Sequence, residues 1–358
     1  MINSCIPELG IQDYIQHLRS ARGKRLPLVG GFELTFRCNN RCAHCYVNKQ
    51  GDDAEEEHRE MNCEQVCRML DDLADTGCLW LVLTGGEPLI RQDFEDIYVY
   101  AKKKGFLITL FTNGTLITPT IADLFQRYPP RSIEITLYGL TKDTYEKVTL
   151  REGSYEECMM GIDLLSERKL PLGLKSVVTT LNKHEFTGIK KFVEADLGRE
   201  FRFDALINPR IDGQRDVTRY RITPSEVVEL DKTDSRRIAD FHRLHDKASM
   251  ISSNNLFVCG AGINSFHIDP YGRLSICNMV RAPSYDLTRG SFREGWYEFL
   301  PSLREHECQE RNRCKDCRLR SMCNQCPGWS LLEHGDYETP TDYLCRVTHL
   351  RAEAFGIG

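Results

Sequence analysis

Cys38, Cys42 and Cys45 lie within Phe-Arg-Cys-Asn-Asn-Arg-Cys-Ala-His-Cys-Tyr, separated by three residues and then two. Thiolates are the ligands of iron-sulfur clusters, and a four-iron cubane takes four of them. This segment offers three, so one loop wraps three corners and leaves the fourth iron open to a substrate or cofactor. A structural zinc knot is the alternative, but such sites draw four ligands from paired Cys/His motifs, and His44 sits awkwardly inside the loop.

Two other stretches carry chemistry. Thr84-Gly85-Gly86-Glu87-Pro88 reads as a turn by composition, and its glycines allow a backbone to approach a ligand closely. The carboxyl-terminal third holds Cys259, Cys277, Cys308, Cys314, Cys317, Cys323, Cys326 and Cys345, with Gly272 five residues before Cys277. Paired Cys-x2-Cys units such as Cys314/Cys317 and Cys323/Cys326 are ligand sets, and alone they would read equally as a zinc ribbon. Cys63 and Cys67 share one face of a helix, and with Cys5, Cys78 and Cys158 they are expected to pack as small apolar side chains.

The elements that must position these residues alternate between strand and helix. Strands are expected over Phe32 to Arg37, Leu79 to Thr84, Phe106 to Thr112, Ser132 to Tyr138, Leu172 to Thr180 and Phe201 to Ile207. Between them run patterns such as Val66, Met69, Leu70 and Leu73, and this alternation implies parallel strands with crossover helices. Six units make an α/β partial (β/α)6 barrel, whose functional residues belong at the carboxyl ends of the strands. The first three cysteines fall just past the first strand. With 358 residues, 41% of them hydrophobic, the chain can bury a large core and a smaller second one. The expected division is a helical extension over 1–31, with Ile6 to Leu18 amphipathic, a barrel over 32–250, and a cysteine-rich domain over 251–358.

A net charge of −5 and the lack of a basic stripe argue against nucleic acid. No run is apolar enough for a signal peptide or a membrane span. Sixteen cysteines without export signals point to metal binding in a reducing cytoplasm rather than to disulfides.

The cysteine spacing followed by Tyr46 resembles the signature of the radical S-adenosylmethionine (SAM) superfamily. The resemblance implies that the open iron chelates the methionyl end of SAM, and that one electron cleaves the sulfonium to release a 5′-deoxyadenosyl radical that takes hydrogen from a substrate. Gly85, Gly86 and Glu87 match the family's Gly-Gly-Glu-Pro motif, which holds the SAM amino group. Tyr46, Asn113, Thr136, Lys175 and Thr180 are further cofactor candidates, Lys175 because a lysine inside an apolar strand needs an acceptor, which the SAM carboxylate would provide. The run Cys314-x2-Cys317-x5-Cys323-x2-Cys326 with Cys345 resembles the SPASM extension, which holds two auxiliary [4Fe-4S] clusters; its last pair is usually spaced by three rather than two. By that resemblance Cys259, Cys277 and Cys326 serve auxiliary cluster I, and Cys314, Cys317, Cys323 and Cys345 serve cluster II. No cysteine follows Cys259 before Cys277, so the fourth ligand of cluster I is either Cys308 or absent. The polar flanks of Cys308 favour a bystander.

Relatives with both signatures modify peptide or protein side chains, which implies a peptide substrate here, with Asp204, Arg210 and Asp212 near it; Asp212-Gly213 reads equally as a turn. An external donor such as flavodoxin or ferredoxin would supply electrons. Sulfatase-maturating relatives place an aspartate base after the second SPASM cysteine, where this chain has Asn278, an amide that cannot take a proton. The short stretch before the barrel leads us to expect a separate leader-binding protein. The expected activity is hydrogen abstraction from a peptide to form a crosslink or oxidised residue. The alternatives are action on a small molecule or haem precursor and, in another class, a non-enzymatic iron-sulfur or zinc-stabilised interaction protein.

Overall fold

The computed structural model describes residues 25–47, 49–246, 255–308, 314 and 317–357. The helix expected over residues 6–18 lies outside them. Six parallel strands form the barrel wall: β1 (Val29–Glu33), β2 (Trp80–Thr84), β3 (Leu107–Thr112), β4 (Ser132–Thr136), β5 (Leu172–Val177) and β6 (Phe201–Asp204). Three short strands extend the same sheet: β7 (Ser265–Ile268), β8 (Arg273–Ser275) and β9 (Tyr285–Asp286). The order is β9-β8-β7-β1-β2-β3-β4-β5-β6. β7 runs parallel to β1, with Val29 opposite Ser265, and the hairpin strands β8 and β9 return antiparallel. The fold is therefore an α/β partial barrel, with a cysteine-rich carboxyl-terminal region entering its sheet beside the first strand.

Alternation along each strand separates two chemistries. Leu81, Leu83, Ile108, Leu110, Ile133, Ile135 and Leu174 are fully buried against the outer helices, each contributing about 1.5–3 kcal/mol by leaving water. The intervening residues, including Glu33, Phe111, Glu134, Thr136, Lys175, Arg202 and Asp204, line the concave face. Helix α1 (Cys63–Thr76) shows how the outer layer is written. Asn62 and Gln65 form a capping box, Val66, Met69, Leu70 and Leu73 are buried, and Gly77 ends the helix at φ 93°.

Four strands end before their expected limits, β1 at Glu33 after starting early at Val29, β4 at Thr136, β5 at Val177 and β6 at Asp204, and two of these ends have a visible cause. β1 stops at Glu33 because Thr35 and Arg37 give their carbonyls to Gly86 N (2.8 Å) and Glu87 N (2.9 Å). β5 stops at Val177 because the Asn182 amide accepts from Thr179 N at 2.7 Å and donates to Val177 O and Tyr138 O at 3.0 Å, closing a turn. Thr180 therefore lies in the exposed loop after the strand, and only its backbone N is engaged, with Tyr220 O at 3.0 Å.

The carboxyl-terminal helix α3 (Asp342–Phe355) is fastened by charge: Arg351 donates to Asp231 Oδ2 and to Asn324 Oδ1, both at 2.7 Å, and Arg237 donates to Asp231 Oδ1 at 2.9 Å. Asp231 closes helix α2 (Pro224–Asp231), and Asn324 neighbours Cys323. Both Asp231 and Arg351 are buried, so removing one partner strands a charge, at about 3–5 kcal/mol. Asp231→Ala is expected to lower stability by about that amount in urea unfolding, with Arg351→Met in the same chain recovering most of the loss; equal stability of Asp231→Ala and the parent chain would contradict this.

Candidate functional site

The first three cysteines sit on a loop held by backbone and asparagine contacts. Arg41 N and Ala43 N donate to Thr149 O (2.9 Å) and Val148 O (2.8 Å), in the last turn of helix α4 (Lys142–Thr149), satisfying carbonyls that a helix end leaves open. Asn113 Nδ2 reaches Asn39 Oδ1 at 2.8 Å and Cys38 Sγ at 3.7 Å, while Asn40 N donates to Cys38 Sγ at 3.4 Å. Arg151 fixes the Asn40 side chain at 2.7 Å. Burial pushes the Cys38 thiol up to about 12, with Glu87 and Cys45 adding to it. Burial likewise raises Cys42, with Cys45 and Cys38 next in effect. Three neighbouring, partly buried cysteines whose thiolate forms would repel one another suit a cationic multi-iron group that neutralises them together. Among the described residues, no three His, Cys, Asp or Glu side chains close on a single metal ion. His44 stands apart, its ring edge-on to Tyr138 at 5.2 Å and held low, at about 4, by burial.

The Gly-Gly-Glu-Pro loop lies directly against this segment. A Cβ at Gly85 would stand 2.2 Å from Thr35 O, and one at Gly86 would stand 2.3 Å from Arg37 O. The loop thus requires two glycines for backbone contact alone. Glu87 is buried, accepting from Thr112 Oγ1 and Asn113 N at 2.7 Å and from Leu89 N at 3.1 Å. Burial pushes it up to about 7. Glu87 therefore ties the end of β2 to the end of β3, and Asn113 ties that end to Cys38.

A polar junction that the sequence did not reveal joins this loop to the carboxyl-terminal region. Glu33, fully buried at the end of β1, accepts from Arg281 Nη1 and Nη2 (2.6 and 3.0 Å), pairs with His267 Nε2 (2.9 Å) and accepts from Tyr46 OH (3.2 Å). Arg281 Nε also donates to Asn278 O at 2.8 Å, beside Cys277. Burial alone would raise Glu33, but His267 and Arg281 outweigh it and hold the carboxyl at about 2. One carboxylate thus spans the residue after Cys45 and the residue after Cys277.

Of the expected substrate residues, Arg210 reaches the cysteine loop: its Nη1 donates to Cys45 O at 2.9 Å, Ile211 N donates to Tyr46 O at 3.1 Å, and Asp216 holds the guanidinium at 2.7 and 2.9 Å. Asp212 is a surface turn residue, accepting from Gln214 N at 3.0 Å before Gly213 at φ 82°. Asp204 ends β6 and accepts from Leu206 N at 2.8 Å. Thr136 and Lys175 are opposite each other on β4 and β5.

Cys259, Cys308, Cys314, Cys317, Cys323, Cys326 and Cys345 line one cavity of about 650 Å³. The thiols of Cys326, Cys277 and Cys259 are electrostatic neighbours, burial pushing Cys326 up to about 11 with the other two adding. Cys326 Sγ also accepts from Trp329 N at 3.4 Å, capping helix α5 (Pro327–His334), where the helix dipole favours a thiolate. Cys323 Sγ accepts from Thr348 Oγ1 at 3.2 Å and Gln325 N at 3.4 Å. Thiols spread round a volume suit cubanes better than one tetrahedral ion. The segment before Cys259 runs antiparallel to that before Cys308: Asn255 bridges Glu307, and Arg304 donates to Phe257 O and Cys259 O. Cys308 therefore lies at the opposite end of this pairing from Cys259, with its Sγ 3.8 Å from Asn255 O.

Residues 32–193 match the model of the Radical SAM superfamily. The chain is a radical SAM enzyme. It is 23% identical over 333 residues to the AdoMet-dependent heme synthase of Methanosarcina barkeri, spanning 87% of this chain and 94% of that protein. It is 26% identical over 323 residues to the antilisterial bacteriocin subtilosin biosynthesis protein AlbA of Bacillus subtilis, spanning 83% and 68%. The fold matches Streptococcus suis SuiB bound to precursor peptide SuiA with a TM-score of 0.68 at 14% identity, over 96% of this chain and 83% of that one. Among the described residues no helix is long and apolar enough to cross a membrane.

Two outcomes follow from this geometry. Gly86→Ala is expected to displace the loop from Arg37 O and abolish SAM binding in a protein that still contains helix by circular dichroism; parent-like SAM affinity would show that the close approach is dispensable. Because Glu33 is held below its ordinary range, its stabilisation is present above about pH 4.5 and is lost as pH falls towards 2. Glu33→Gln should flatten the acid-unfolding curve of the chain in that window, and an unchanged curve would contradict the assignment.

Proposed function

We propose that this chain is a radical SAM peptide-modifying enzyme that reductively cleaves SAM and abstracts hydrogen from a peptide side chain, leaving a crosslink or an oxidised residue. Cys38, Cys42 and Cys45 would hold the SAM-binding [4Fe-4S] cluster. Cys259, Cys277 and Cys326 would hold one auxiliary cluster, and Cys314, Cys317, Cys323 and Cys345 a second. When bound, these groups and SAM supply the one-electron cleavage and the hydrogen acceptor. The protein's part is placement. Asn113 and Asn40 fix Cys38, Glu87 and the glycine loop form the SAM-facing rim, Glu33 locks Tyr46 against the auxiliary region, and the barrel strands β1 to β6 would enclose the substrate.

The observation that carries the peptide reading is the charge of the lumen. Glu33, Glu134 and Asp204 face Arg281, Arg202 and Lys175, and Glu134 is ion-paired with Arg202, Glu33 with Arg281. Such a balanced lining suits a substrate of low net charge, as a peptide segment is. The SuiB structure, bound to a precursor peptide, shares this fold over 96% of the chain. A second reading, a haem precursor, is favoured by the similarity to an AdoMet-dependent heme synthase along 94% of its length. A tetrapyrrole bearing several carboxylates would, however, need more unpaired cations than the described lumen offers. A flavodoxin- or ferredoxin-type donor would supply electrons.

Anaerobic reconstitution is expected to load about twelve irons per chain, and the Cys38/Cys42/Cys45 triple Ala variant about eight, by cubane stoichiometry; zinc in the carboxyl-terminal region, or about four irons in the parent protein, would overturn the cluster count. Reduced enzyme should form 5′-deoxyadenosine and methionine from SAM. Deuterium should pass into the 5′-deoxyadenosine from a deuterated peptide fraction and not from deuterated Fe-coproporphyrin III. The reverse pattern would establish the second reading.

A further inference from the structure

Cys63 and Cys67 belong to neither cysteine cluster. They stand one turn apart on α1 and are partly buried, whereas Cys78 and Cys158 are enclosed in the core. Both line a groove of about 380 Å³ on the outer helices, together with Glu95, Asp96, Lys103 and Arg127, and no other described cysteine lines it. The two side chains are hydrogen-bonded to each other, and burial pushes the Cys67 thiol up to about 11, with Cys63, Asp71 and Asp96 adding to it. Cys67 therefore rests as a protonated thiol and not as a reactive thiolate.

A disulfide does not fit this pair. Residues four apart on a helix hold their Cβ atoms about 5–6 Å apart, while a disulfide needs about 3.5–4.5 Å. Closing that gap would unwind a turn that is locked at its start, where Asn62 N donates to Gln65 Oε1 and Gln65 N to Asn62 Oδ1, both at 2.9 Å. An ion seated between the two sulfurs needs no such approach. Thiolates select soft ions. Among the described residues no third His, Cys, Asp or Glu side chain closes on the pair, so the tetrahedral set that structural zinc takes is missing. A soft ion content with two ligands remains. The charges agree, because the carboxylates of Glu95 and Asp96 draw a cation into the groove, and Lys103 and Arg127 offset the excess negative charge that two thiolates give a monovalent ion.

We propose that Cys63 and Cys67 form a two-coordinate site for Cu(I) on the outer helical layer of the barrel, each thiol releasing its proton to solvent as it ligates. The site stands apart from the radical chemistry and does not depend on whether the substrate is a peptide.

The test is copper uptake by the full chain with its iron-sulfur clusters loaded, under anaerobic conditions and with free Cu(I) buffered by bathocuproine disulfonate. The parent is compared with Cys63→Ser, Cys67→Ser and the double Ser variant. The parent is expected to retain one more copper per chain than the double variant at unchanged iron content, and each single variant to hold that copper at least about a hundredfold more weakly. X-ray absorption of the copper-loaded parent should show two sulfur neighbours and no further ligand. That measurement needs no variant, so it decides the coordination even where a substitution disturbs α1. Equal copper in the parent and the double variant, copper gained only as iron is lost, or three or more neighbours around the copper would each overturn the site. Zinc offered in place of copper and held as tightly, with the same dependence on both cysteines, would overturn the assignment to a two-coordinate ion.

Discussion

The architecture depends on a buried carboxylate. Glu33 closes the first strand, and its two oxygens take Arg281, His267 and Tyr46. Through those contacts the strand that launches the SAM-cluster cysteines is held to β7 and to the loop that carries Cys277. A buried charge is tolerated only when its partners are in place, so neither cysteine loop can shift without leaving Glu33 unpaired. The parallel pairing of β1 with β7 adds backbone hydrogen bonds to the same junction. The chain therefore behaves at this point as one continuous sheet, although the expected boundary between barrel and cysteine-rich region lies near residue 250.

The same economy governs the rim of the barrel. Gly85 and Gly86 allow two backbones to touch, Glu87 receives two donors from the end of β3 and one from Leu89 N in its own loop, and Asn113 carries the connection to Cys38. Residues expected to contact SAM are thus also those that hold the cysteine loop in shape. Substitutions there act on placement as well as on binding, and only measurements that separate fold, cluster content and SAM affinity can distinguish the two. Below the rim, the lumen is charged but nearly balanced, Glu134 being paired with Arg202 and Glu33 with Arg281.

Much of this was legible in the sequence because it is local. The Cys-x3-Cys-x2-Cys spacing, the glycine loop and six apolar runs each sit within a dozen residues, and period-two and helical patterns announce the barrel. The strand ends were not legible, because they are set by side chains such as Asn182, whose amide closes β5 before Thr180, and by carbonyls of Thr35 and Arg37 that leave the sheet to meet Gly86 and Glu87. Strands β7 to β9 are too short and too polar to carry a pattern: Arg273-Leu-Ser275 is three residues long. Glu33 looked like an ordinary strand residue because its partners His267 and Arg281 lie 234 and 248 positions away. Asp212-Gly213 was ambiguous on paper, and its hydrogen bond to Gln214 N makes it a turn.

The central claim is that Cys38, Cys42 and Cys45 hold an iron cluster whose remaining iron is open to SAM. The most direct measurement is electron-nuclear double resonance on the reduced protein with SAM labelled by 15N at the amino group and 17O at the carboxylate. The account predicts hyperfine coupling from both labels in the parent protein and from neither in the triple Ala variant. A parent protein that binds labelled SAM with no coupling to either nucleus would contradict it.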